Sequence, residues 1–116
     1  MIYYRTDSGY RQSTNLEAIN RLQVDFLAHS YLYYQCDIGL INDTHYDNIC
    51  SWLVRHREVN KKDFENSTYY EYCKELETGS GYDIKEDQYP EKIKRICVRL
   101  LKQHEVDVPD ELKEFE

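Results

Sequence analysis

Two prolines and four glycines in 116 residues leave few points at which a helix must stop, and so scarce a supply of breakers favours helices joined by short connections. No Cys-x-x-Cys pair occurs. Cys36, Cys50, Cys73 and Cys97 stand 14, 23 and 24 positions apart, which excludes the common zinc-ribbon and thiol-redox spacings. A zinc site drawn from Cys36, His45 and Cys50 lacks a fourth ligand at useful spacing, so no metal is expected. No apolar run approaches the ~20 residues of a membrane span, and no apolar leader comes after Met1. The expectation is a soluble cytoplasmic protein with no membrane association and with reduced, partly buried thiols. A Walker loop, a dinucleotide fingerprint and a metallohydrolase helix are also missing. His29, His45, His56 and His104 are scattered along the chain, so no catalytic residue is assigned and the chain reads as a non-enzyme.

Positive charge is in the minority. Fifteen Lys and Arg against 22 Asp and Glu give a formal net charge of −7, which repels a phosphate backbone and argues against direct nucleic-acid binding. The acidity suits ordinary solubility, or a surface that competes for the basic groove of another protein. With 41% hydrophobic and 32% charged residues the chain has an ordinary globular composition, read as a single domain spanning 1–116. What it has in excess is tyrosine, at twelve residues. Tyrosine is enriched at interfaces because a rigid ring buries area at small entropic cost, so a protein partner is expected and a homodimer is allowed.

Met1 to Gln12 lacks a helical apolar period and reads as an extended or irregular arm. Ser13 or Thr14 caps a first helix, with Glu17 in a capping-box position after Thr14. Leu16, Ile19, Leu22, Phe26, Leu27, Tyr31 and Tyr34 then recur at helical spacing to about Gln35. After a loop over Asp37 to Asn42, Asp43 is expected to cap a second helix, with Tyr46 near its N3 position and Ile49, Trp52, Leu53 and His56 as its buried stripe. That helix should end near Glu58, where Val59 to Lys62 turns polar. Residues 13–59 thus form a helical hairpin, antiparallel by virtue of the short connection, and 60–116 supply additional helices. Asn66 or Ser67 caps a third helix through Leu76; Thr78 to Gly81 is a connection, either a plain link or a loop over a pocket. A fourth helix comes after Pro90, with Ile93, Ile96, Cys97, Leu100 and Leu101 on one face and Lys92, Lys94, Arg95, Arg99 and Lys102 on the other. Pro109 starts a short final helix from Asp110 to Phe115. The fold class is all-α, a small bundle of four to five helices.

The hairpin turn gathers chemistry. Tyr33 and Tyr34 leave the first helix, and Asp43, Tyr46 and Asp47 enter the second, so all five flank one turn. Taken singly, Asp43 is a helix cap or a ligand-binding acid, Asp47 is favoured by the helix dipole, and the tyrosines are core residues with a hydroxyl at the surface. Together they offer stacking faces and negative charge to a flat, positively charged ring.

The string Tyr31, Leu32, Tyr33, Tyr34, then Asp37, then Ile41 through Asp43, Tyr46, Asp47 and Ile49 resembles the N-terminal helical segment of bacterial NAD-dependent DNA ligases. There a Tyr-Leu-Tyr-His helix leads through an aspartate to Ile-x-Asp-x-x-Tyr-Asp-x-Leu. The likeness covers about Leu22 to Leu53. It implies that Tyr33, Tyr34, Asp43, Tyr46 and Asp47 contact the nicotinamide mononucleotide (NMN) half of NAD, with Tyr34 standing where the family has histidine. It also implies NMN or NAD as ligand, with no cofactor required. The family's Lys-x-Asp-Gly motif and its nucleotidyltransferase domain are absent from this sequence. The expectation is a free-standing binding or adaptor module of the kind encoded by bacteriophages and mobile elements in a bacterial host. Two alternatives stand beside it: an acidic inhibitor of anti-defence type docking through Tyr82, Asp83, Glu86 and Asp87, and an accessory subunit of a split nucleotidyltransferase.

Overall fold

The computed structural model describes residues 14–76 and 84–116, together with two backbone strands near the start, β1 (Tyr3–Thr6) and β2 (Gly9–Gln12). These strands pair antiparallel, Tyr3 opposite Gln12 and Thr6 opposite Gly9. The arm expected to be extended or irregular is thus a short hairpin ahead of an otherwise helical chain.

Helix α1 (Asn15–Ser30) begins where the capping box places it: the Thr14 hydroxyl accepts the Glu17 backbone N–H at 3.1 Å, satisfying one of the unpaired amides of the first turn. Half of its residues are buried, including Ile19, Leu22, Gln23, Phe26, Leu27 and Ser30. So wide a buried arc marks a helix that packs on several sides, and α1 touches α2 (Asp43–Val59), α3 (Lys61–Glu65) and α5 (Glu91–Gln103). A π turn (Tyr31–Gln35), a short helix α4 (Tyr70–Cys73) and two 3₁₀ turns, Glu86–Gln88 and Asp110–Phe115, complete the described elements. Among the described residues no helix is long and apolar enough to cross a membrane.

The antiparallel hairpin is present, held at both ends. Asn15 Nδ2 donates to Asn60 Oδ1 at 3.1 Å where α1 starts and α2 stops, and Ser30 and Tyr46 share a hydrogen bond of 2.7 Å where α1 stops and α2 starts.

Several expectations need correcting. Asn42, not Asp43, caps α2: its side chain accepts the His45 N–H at 2.8 Å, which puts Tyr46 one position beyond N3. Trp52 is 53% exposed. The buried face of α2 is Ile49, Cys50 and Leu53; at about 100° per residue, filling the edge with Cys50 turns Trp52 out of the core. Beyond the polar stretch Val59 to Lys62 the chain is helical again, with Lys61–Glu65 carrying a buried Phe64, while the expected third helix shrinks to α4, begun at Tyr69 with no side-chain cap. The proposed cap Ser67 is buried and its hydroxyl donates to the Phe64 carbonyl. On α5, Lys94 leaves the basic face and turns inward to Glu86 at 3.0 Å; Ile93, Cys97, Val98 and Leu101 are its buried residues. Ser13 and the Thr78 to Gly81 connection lie outside the described residues.

Gln23 is fully buried on α1 and its amide is used on both sides. Its Nε2 donates to Ser67 Oγ at 2.8 Å and its Oε1 accepts the Tyr69 N–H at 3.0 Å. A buried amide is tolerable only when so paired. Arg57 does similar work from α2, its guanidinium donating to the carbonyls of Lys74 and Leu76 at 3.1 and 2.8 Å beyond the end of α4. Cys50, Cys73 and Cys97 are buried and Cys36 half-buried, none of them in a disulfide.

Gln23→Ala leaves the Ser67 hydroxyl and the Tyr69 amide short of a partner in the interior and should lower unfolding stability by about 2 kcal/mol in urea titration; an unchanged midpoint would refute this role. Alkaline pH probes the thiols. Burial pushes Cys36 up to about 11, and Cys73 and Cys97 up to about 12, from an ordinary 9.0. The folded state therefore holds thiol protons that the unfolded state gives up, so the thiols' contribution to stability should be constant below pH 9 and fall between pH 9 and about 12. A urea midpoint at pH 10.5 equal to that at pH 7.5 would contradict it.

Candidate functional site

At Tyr31 the α-helical ladder of α1 widens into a π turn, Tyr31–Gln35. Each π turn takes one more residue than an α turn, so the tyrosines after Leu32 are rotated off the stripe that α1 alone would give them. Tyr31 and Leu32 are buried, whereas Tyr33 is 50% exposed and Tyr34 intermediate. The turn closes with Asp37 in the left-handed region, φ 57°, and the Ile38 N–H returns to the Leu32 carbonyl at 2.8 Å. That closure is one residue longer than the usual helix C-terminal motif, as a π turn requires. The chain then crosses to Asn42 and starts α2.

Across this reversal Tyr33, Tyr34, Asp43, Tyr46 and Asp47 line one half-open cavity of about 290 Å³. All five residues marked in the sequence for ligand contact are brought to it. The Tyr33 and Tyr34 rings meet edge to face, centroids 4.9 Å apart at 89°, an arrangement favoured by the ring quadrupoles. On the opposite side Asp43 and Asp47 stand one helical turn apart on α2, both exposed. Because Asn42 takes the cap, the Asp43 carboxylate is not required for that duty.

Tyr46 is anchored from behind. Its hydroxyl is bonded to the buried Ser30 and its ring lies 6.1 Å from that of Phe26. Burial, outweighing the Ser30 bond, raises its phenol far above the ordinary range, and burial together with neighbouring Tyr33, Cys50, Asp47 and Asp43 raises that of Tyr34. Both stay neutral at physiological pH, so the negative charge of the site comes from the two carboxylates. Among the described residues the cavity has no basic side chain in its lining, and no group of three His, Cys, Asp or Glu is placed to hold a metal ion.

The second proposed surface fares differently. Tyr82 and Asp83 lie outside the described residues. Glu86 accepts the Lys94 ammonium and the Tyr31 hydroxyl, each at 3.0 Å, and those two hydrogen bonds hold its carboxyl below the ordinary glutamate value. It works as a strut between the π turn and α5. Asp87 is exposed in the same 3₁₀ turn.

Sequence reading missed the π turn, for which the string Tyr31 to Gln35 carries no periodic signal. It also missed Gln23 and Ser30, polar residues inside an apolar stripe, and the convergence of histidines. Burial lowers the pKa of His29, and the nearby His45 and His104 lower it further.

Tyr46→Phe strands the Ser30 hydroxyl while keeping the ring in the cavity wall. Unfolding stability should fall by about 1 kcal/mol with helix content unchanged by circular dichroism; an unaltered urea midpoint would show that this bond does not hold the hairpin turn.

The chain matches no protein-family model, no curated protein and no solved structure with which it was compared.

Proposed function

We propose that this chain is a non-enzymatic binding or adaptor module that holds the nicotinamide half of a nucleotide in the cavity between the π turn and α2, and that it is related to the corresponding segment of NAD-dependent DNA ligases. The observation that carries this reading is the convergence of Tyr33, Tyr34, Asp43, Tyr46 and Asp47 on a single cavity. The motif spacing singles out these five positions along the chain, and the same five meet in space. A cavity near 290 Å³ is at the small end of ligand sites, about 300–1,000 Å³, which suits a mononucleotide moiety better than a whole dinucleotide. Stacking on phenol rings and charge compensation by carboxylates both favour a flat cation. In this reading the chain acts in a bacterial cytoplasm on behalf of a phage or mobile element, binding NMN or NAD without transforming it.

A protein-docking role is the second reading, and exposed Trp52 favours it. Trp52 and Val59, 53% and 68% exposed, lie seven residues apart on α2 and so share one outward face. Tryptophan is among the residues that most often anchor interfaces. This face is a surface to probe beside exposed Glu86 and Asp87.

Titration calorimetry of the intact protein with NMN and with NAD tests the leading reading. Heat of binding in the sub-millimolar to millimolar range is expected, reduced about tenfold or more in affinity by Asp47→Ala. No heat with either ligand at millimolar concentration would overturn it.

A further inference from the structure

The charge inventory of the cavity is one-sided. Three phenols and two carboxylates line it, and Tyr33, Cys50, Asp47 and Asp43 all raise the Tyr34 phenol electrostatically. A helix N-terminus can receive a phosphate through its free amides, but here one of them, the His45 N–H, is spent on the Asn42 side chain. The same first turn carries Asp43 as its acid, which repels an anion from that position. Tyr34 offers a phenol whose proton is held more tightly than usual, a neutral group that cannot pair with a phosphate as a cation would.

From this lining we infer that the cavity recognises the positive charge of an N-alkylated pyridinium ring and not a phosphate, so that its preferred ligands are nucleoside-sized organic cations, the oxidised nicotinamide riboside ahead of its 5′-phosphate and ahead of its reduced form. The inference rests on the nicotinamide reading above and narrows it. The oxidised ring is a planar cation, which stacks on tyrosine faces and is compensated by carboxylates. The reduced ring is neutral and gains neither the cation–π attraction nor the charge compensation. The mononucleotide keeps the ring charge but adds a phosphate carrying close to two negative charges, which faces Asp43 and Asp47 with no basic residue among the described residues of the lining to offset them. Such a site reports the oxidation state of nicotinamide through one charge.

The test is calorimetry or ligand-observed NMR on the intact protein with four probes: nicotinamide riboside, reduced nicotinamide riboside, NMN and nicotinamide. The riboside should bind about tenfold tighter than NMN and than its reduced form, with nicotinamide weaker still, and added salt should weaken riboside binding. A double variant, Asp43→Asn with Asp47→Asn, keeps side-chain size and lies on the exposed face of α2; it should retain helix content and lose the preference for the oxidised riboside. NMN binding tighter than the riboside, or equal affinity for the oxidised and reduced forms, would overturn the inference and leave the nucleotide reading standing. Riboside binding with no heat from NMN or NAD would uphold the inference and remove the nucleotide reading. Silence from all four probes and from NAD would remove both, and an unchanged oxidised-to-reduced ratio in the folded double variant would overturn the assignment to the two carboxylates.

Discussion

The pairing of α1 with α2 is the constraint on which the rest depends. Two side-chain bonds at opposite ends, Asn15 with Asn60 and Ser30 with Tyr46, fix both the direction and the register of the hairpin, and buried Phe26, Leu27, Cys50 and Leu53 belong to the core cluster these helices share. The Ser30 bond has two consequences at once. It closes the hairpin near its turn, and it holds the Tyr46 ring as a wall of the cavity. A slip of one residue between the helices would separate Tyr33 and Tyr34 from Asp43 and Asp47, since the first pair comes from one helix end and the second from the other.

Around this hairpin the molecule uses polar side chains to fasten segments that have little helix of their own. Residues 61–76 contain only the short α3 and α4, too brief to be stable by hydrogen bonding alone. Gln23 reaches them from α1 and Arg57 from α2. On the far side Lys94 sits between Glu86 and the rings of Tyr31 and Phe115, 5.8 and 5.6 Å from their centroids. These contacts join 3₁₀ turn, π turn, α5 and C-terminal turn through one ammonium, a geometry in which ion pair and cation–π attraction act together.

Much of the architecture could be read from the amino-acid order because it is set by periodicity and capping. Thr14 with Glu17, the Leu16 to Leu27 stripe, Pro90 ahead of α5 and Pro109 ahead of the last turn are local signals, and each element starts where they put it. The five cavity residues were also legible, since spacing around a short turn determines which side chains can meet. What could not be read was decided by tertiary partners. Trp52 looks like a core residue until Cys50 fills the buried edge of α2. Glu86 is an exposed acid whose role only its partners reveal: Lys94 and Tyr31 both donate to its Oε1. Asn42 outcompetes its neighbour Asp43 for the cap, although either residue type serves.

The π turn gives the molecule a register offset at one place. An α-helix that absorbs one additional residue without disturbing the packing on either side does so by widening a single turn, and Tyr31–Gln35 has this form. N-terminal to it, from Asn15 to Ser30, the helix keeps ordinary α spacing, so this one turn sets where Tyr33 and Tyr34 point relative to Phe26 and Leu27, while Tyr31 and Leu32 inside it stay buried in the core. The aromatic rim is thereby aimed by a turn whose other half belongs to the packed scaffold.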